Sequence, residues 1–169
     1  MMPSRPALVL ELTRVEGMHL RGLVGQFVDL LAATKDAASD PAVGRLVPSA
    51  YPDDPDAASQ FRGLTEHDLL GRRAADAAIV LADLTDAGDD VDPSALSPEA
   101  AAEEFAIALD EEAVDAWMRT LSAVRLVLAT RLGIETEDDG DPNDPRYGIY
   151  EWLGSRLDGI VRAASTRRG

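Results

Sequence analysis

Few side chains in this chain have types and spacing suited to chemistry. They are His19 and His67, the acidic run from Glu135 to Asp144, and two arginines, Arg125 and Arg131, set inside an apolar segment. The histidines are expected to stand on different helices without a second ligand three or four residues further along, so they read as exposed side chains and not as a metal pair. The acidic run imitates the first half of a calcium loop through Glu135, Glu137, Asp139 and Gly140. Its second half fails, because Pro142 interrupts it and Arg146 occupies the twelfth position, where a bidentate glutamate belongs. A solvated acidic loop is the expectation. No cysteine is present, which removes disulfides, thiolate metal sites, cysteine nucleophiles and thiol redox sensing together. Adjacent acids such as Asp53 and Asp54 are too common in this composition to mark acid–base catalysis, and no nucleophile elbow appears. The chain therefore reads as a non-enzyme with no metal and no cofactor.

The two arginines are more informative. Residues 117–134, WMRTLSAVRLVLATRLGI, lack a continuous polar stripe, so a helix here must be covered around most of its circumference. Arg125 falls on the arc of Trp117, Leu121, Val124 and Leu128, counted from Val114 at about 100° per residue. A cation on that arc must reach water or meet a carboxylate, and Asp29, Asp76 and Asp83 are acids on other helices that could answer it. Two readings follow. Arg125 and Arg131 either line a cleft for an anionic ligand or a partner's carboxylate, or form internal ion pairs that set helix register. The second is favoured, since no phosphate loop or other anion motif accompanies them. Trp152 also lies off the stripe of Leu153, Leu157 and Ile160. It either anchors a partner or shows that its helix is covered on two sides, and Ile79, opposite Leu81, adds to the interface reading.

The elements that position these residues are legible from caps and periodicity. Leu8–Leu12 suits a short strand, followed by a capping box from Thr13 to Glu16 that starts a helix near Arg14. On that helix Leu20, Leu23, Val24, Phe27, Leu30 and Leu31 should face inward, opposite Gly22, Gln26 and Asp29, and it should end before Ala38. Asp40-Pro41 and Asp54-Pro55 each predict a helix start, with VPSAYPDDP extended between them. Thr65 predicts a further start, with Leu70, Ala74, Ala77, Leu81 and Leu84 inward. Residues 85–98 read as a loop, and Phe105–Leu109 as a strand pairing with Leu8–Leu12. Asp110 should cap the central helix and Gly133 end it. A last helix from about Arg146 should turn Tyr150, Leu153, Leu157, Ile160, Val161 and Ala164 inward. The expected fold is mainly α: a single-domain bundle of five or six helices over residues 1–169, with a short two-stranded β-ribbon.

Composition narrows the partners. The 169 residues are 46% hydrophobic and hold 31 acids against 16 bases, a formal charge of −15. That field repels phosphate backbones, so no direct nucleic-acid contact is expected, and the pairs Arg72-Arg73 and Arg167-Arg168 are too small a basic face to reverse it. No apolar run reaches the roughly 18 residues of a membrane span and the N-terminus lacks a signal peptide's pattern, so a cytoplasmic protein without membrane contact is expected.

Three stretches, YPDDPDAASQFRGLTEHDLL (51–70), AWMRTLSAVRLVLATRLGI (116–134) and YGIYEWLGSRLDGIV (147–161), resemble an actinobacterial family long labelled a domain of unknown function, the AosR-type oxidative-stress regulators. The resemblance spans essentially the whole chain. It implies transcription regulation in oxidative stress through contact with another protein, such as a sigma factor or other transcription component. The cysteine pair associated with sensing in some members has no counterpart here, so thiol sensing does not carry over. Ser122 and Ala123 stand where more polar, Asn-Asp-like residues are expected of the family. The resulting expectation is a regulator acting through protein–protein contact, with homodimerisation an option if Trp152 or Ile79 is exposed. The rival readings are an anionic small-molecule binder or enzyme using an Arg125/Arg131 cleft, and a proteolysis adaptor module.

Overall fold

The ribbon forms as the alternation requires. The structure, a computed structural model, describes residues 5–34, 40–47, 55–87, 96–136 and 139–168. Strand β1 (Leu8–Thr13) pairs antiparallel with β2 (Glu104–Leu109), in a register running from Leu8 opposite Leu109 to Thr13 opposite Glu104. Period-two alternation sends Leu12, Ile107 and Leu109 into the core and leaves Val9, Ala106 and Ala108 exposed on the other face. Two strands alone are marginal, so helices must complete the unit.

Helix α1 (Arg14–Ala33) follows β1 directly. The Glu16 amide donates to Thr13 Oγ1 at 3.3 Å and the Thr13 amide donates to Glu16 Oε2 at 2.8 Å, the capping box read from the sequence. Leu20, Val24, Phe27 and Leu31 are buried, Leu23 and Leu30 half-buried, and Gly22, Gln26 and Asp29 exposed, as the periodicity predicts. The short α2 (Pro41–Gly44) is capped by Asp40, whose Oδ1 accepts from the Ala42 amide at 2.9 Å.

Helix α3 (Pro55–Ala87) departs from expectation: the starts predicted at Pro55 and Thr65 belong to one 33-residue helix. A capping side chain begins a helix only where the preceding chain leaves the α region, and no proline or turn dipeptide between Pro55 and Thr65 forces it to. Its inner positions include Ala77 and Leu84, with Val80 buried beside them. The predicted loop at 85–98 is helical at both of its ends, and residues 88–95 lie outside the described residues. Helix α3 runs on to Ala87, and Ser97 caps a four-residue helix, α4 (Pro98–Ala101), with proline at its first turn. The predicted extended link and the Asp54 cap lie outside the described residues.

Helix α5 (Glu111–Leu132) is the central one. Asp110 Oδ1 accepts from the Ala113 amide at 2.8 Å, and Gly133 ends the helix in the left-handed region at φ 71°. It packs against α1, α2, α3, β2 and the last helix, α6 (Pro145–Arg168), which explains why its apolar residues extend around so much of its surface. Among the described residues the fold is thus mainly α, six helices with a two-stranded antiparallel ribbon. On α6 Leu153 and Ile160 are buried, whereas Val161 is 42% exposed, contrary to the predicted inward face. One residue past Ile160 is a rotation of about 100°, which carries the side chain off the surface that meets α5.

Thr120 on α5 is buried, and its hydroxyl makes no hydrogen bond among the described residues. An unpaired buried hydroxyl costs free energy that an isosteric methyl does not. Thr120→Val is expected to raise stability by about 1 kcal/mol. Urea denaturation of both proteins checks it, and a loss of stability would reveal a role for the hydroxyl.

Candidate functional site

Where the ribbon meets α1, one carboxylate gathers most of the local polar contacts. Glu16 already caps α1, and its Oε1 also accepts from the Trp152 indole Nε1 at 3.2 Å and from Arg156 Nε at 3.1 Å, with Arg156 Nη2 closing the ion pair. Arg156 Nη1 reaches the Glu11 carbonyl at 3.4 Å, and Arg167 Nη1 the Pro6 carbonyl at 3.0 Å. Helix α6 therefore lies against the outer edge of β1 and occupies backbone acceptors that an edge strand would otherwise present. Partial burial pushes the Glu16 carboxyl up, but the Arg156 guanidinium, the Thr13 amide and the Trp152 N–H together outweigh it and lower the group to about 2. The capping box was legible in the sequence. Its second use was not, since nothing local marks Arg156 as the partner of a residue 140 positions away.

The predicted site residues separate. Arg131 Nη2 donates to Asp40 Oδ2 at 2.7 Å, tying the C-terminal turn of α5 to the cap of α2. That hydrogen bond is the main reason the Asp40 carboxyl lies below the usual carboxylate range. Arg131 does not line the groove that Arg125 lines. Six helical residues amount to about 240° of rotation, so the two arginines face different sides and form no common cleft. Trp152 is half-buried, packs on the core, and has its N–H engaged by Glu16. Ile79 is likewise half-buried against the core.

Arg125 meets none of the three carboxylates proposed for it. Asp76 takes both Arg119 Nε at 2.8 Å and Nη2 at 3.1 Å, Asp83 Oδ2 accepts from Trp117 Nε1 at 2.9 Å, and Asp29 is exposed on α1. Arg125 is held by α6 instead. Its guanidinium carbon stands 4.1 Å from the centroid of the Tyr150 ring, and Nε donates to the Tyr150 carbonyl at 3.4 Å. Gly154, one turn along, makes room: a Cβ there would lie 2.9 Å from Arg125 Nε and Nη2. Gly159, also on α6, has no such neighbour. Gly159→Ala is expected to add about 1 kcal/mol through helix propensity, whereas Gly154→Ala should fail to deliver that gain because it evicts the guanidinium from Tyr150. Thermal melting of the two variants measures the difference, and equal gains would show that the stacking is worthless.

Beside Arg125 a groove of about 410 Å³ opens between the end of α2, the second half of α5 and α6. Ser122, Arg125, Leu126 and Ala129 form its floor, and Arg45, Ile134, Glu135, Tyr150 and Leu157 are among its walls. Ser122, one of the two positions that depart from the expected motif, is exposed here, while Ala123 is buried and faces the core. Arg45 was not singled out from the sequence, because it follows α2 without any local signal and reaches this groove only through the packing of α2 on α5.

The remaining candidates fall on the surface. His19 and His67 are exposed on α1 and α3. Asp139 folds back on its own connection, with Oδ2 accepting from the Glu135 amide at 3.0 Å and the Thr136 amide at 2.9 Å, and these bonds lower its carboxyl. Glu137 lies outside the described residues. Among the described residues no cluster of three or more His, Asp or Glu side chains is placed to hold a metal, and no helix is long and apolar enough to cross a membrane.

The chain belongs to the family described as Domain of unknown function (DUF2017), whose model matches residues 1–164. No curated protein and no solved structure matches it.

Proposed function

We propose that this chain is a non-catalytic cytoplasmic regulator that acts by binding another protein, and that the partner is a basic segment of the transcription machinery such as a sigma factor. The observation that carries the reading is the charge of −15, with exposed acids on α3, α4, β2, α5 and α6, among them Asp68, Glu99, Glu104, Glu111, Glu112 and Asp158. An acidic exterior steers basic partners into encounter and disfavours competing nucleic acid. The resemblance to the AosR-type regulators supports the transcriptional setting. Without cysteine the signal reaches this chain by some route other than its own thiols.

The arrangement of cations supports the same reading. Arg119, Arg131, Arg146 and Arg156 are each tied to a carboxylate of the same chain, and with 31 acids against 16 bases the charge that remains is net negative. Affinity capture from oxidatively stressed cells is the test. A transcription component is expected to be retained at low salt and to weaken as salt rises toward about 0.15 M, where surface charges are screened beyond about 8 Å. Recovery of protease components in its place would select the adaptor reading, and recovery of neither would count against a regulatory contact.

A further inference from the structure

We infer that the groove on α5 between Arg45 and Arg125 is a binding site for a small organic carboxylate with an apolar body. The inference is independent of the protein–protein reading above. In a chain with almost twice as many acids as bases, the ion pairs described above use up arginines across the surface. Arg45 and Arg125 are not used in this way, and unlike Arg167, which is also outside those pairs, they share one groove. Among the described residues neither meets a carboxylate: Arg45 Nη1 donates to Thr130 Oγ1 at 3.0 Å, and Arg125 has only the Tyr150 carbonyl and ring. Both line one groove.

The site is partly organised before a ligand arrives. Stacking on Tyr150, with Gly154 making room beside it, holds the Arg125 guanidinium in one place, so little side-chain freedom is lost when it donates to an oxygen. Ser122 adds a hydroxyl donor on the floor. The same groove has an apolar side formed by Leu126, Ile134 and Leu157, suited to a hydrocarbon or aromatic body and of no use to an inorganic ion. Glu135 stands at the wall and offsets one of the two cations. That balance favours a single negative charge, a carboxylate, over a phosphate dianion.

Calorimetric titration of the full chain with phenylbutyrate, acetate and phenyl phosphate tests the assignment. Phenylbutyrate is expected to bind saturably, acetate not measurably, and phenyl phosphate more weakly than phenylbutyrate. Arg45→Gln should weaken phenylbutyrate by about tenfold or more, the usual consequence of removing one charge-assisted donor. Ser122→Trp should abolish binding by filling the floor. Both positions are exposed, so these variants fold even if Arg125→Gln does not. Arg119→Gln, on another face, should bind as the parent does. No binding of phenylbutyrate, binding unchanged in Ser122→Trp, or phenyl phosphate preferred over phenylbutyrate would each overturn the assignment.

Discussion

Trp117→Ala will cost this protein about 3–5 kcal/mol, a large share of a total stability in the ordinary range of about 5–15 kcal/mol. Trp117 is fully buried on α5, where it meets α3 through an indole N–H donated to Asp83. Truncation does two things at once. It leaves a large cavity at the centre of the bundle, and it strips a half-buried carboxylate of its donor. Trp117→Phe separates the contributions, since it keeps most of the ring but not the N–H. It should cost about 1–3 kcal/mol, and adding Asp83→Asn should leave less than the sum of the two single losses. Guanidinium denaturation monitored by circular dichroism measures the parent, the three single variants and the double variant. A Trp117→Ala protein within about 1 kcal/mol of the parent would mean that α3 and α5 are not packed through this residue.

Glu16→Gln should produce the second largest loss, about 2–3 kcal/mol near neutral pH, with a dependence on pH that identifies its cause. The Gln side chain keeps the shape but removes the charge that joins Thr13, Trp152 and Arg156. In the folded chain the Glu16 carboxyl is lowered from 4.5 to about 2. A group depressed on folding stabilises the native state in full above its unfolded value, and that contribution is lost as the pH falls from about 4.5 toward about 2. The difference between parent and Glu16→Gln should therefore be constant above about pH 5 and shrink through the acid range. Its size is discounted for solvent, because Arg156 retains 33% of its side-chain exposure. A parent–variant gap that stayed constant down to about pH 3 would show that the charge on Glu16 is not what holds α6 to the β1–α1 corner.

Much of the fold could be read from local signals because those signals act over a few residues. The Thr13–Glu16 capping box, the Asp40 and Asp110 caps and the Gly133 terminus all appear where the side chains demanded them. Alternation in Leu8–Leu12 and Phe105–Leu109 was enough to predict the ribbon, and a segment apolar on nearly all sides correctly identified the helix at the centre. The same local logic overreached at Thr65, because a residue able to cap does not cap when the chain before it is already helical.

The candidate site was less legible. Arg125 was recognisable as an anomaly, a cation on an apolar arc, but its environment was not. Three carboxylates were available on paper, and packing gave Asp76 to Arg119 and Asp83 to Trp117 while leaving Asp29 in solvent. A tyrosine ring and a glycine gap on α6 took their place. Composition alone decided the acidic field and the absence of thiol chemistry, for those depend on which residues are present and not on where they lie. Which carboxylate meets which arginine depends on distances across helices, and residues 34 to 140 positions apart were brought together only when the apolar faces of α1, α3, α5 and α6 closed on one another.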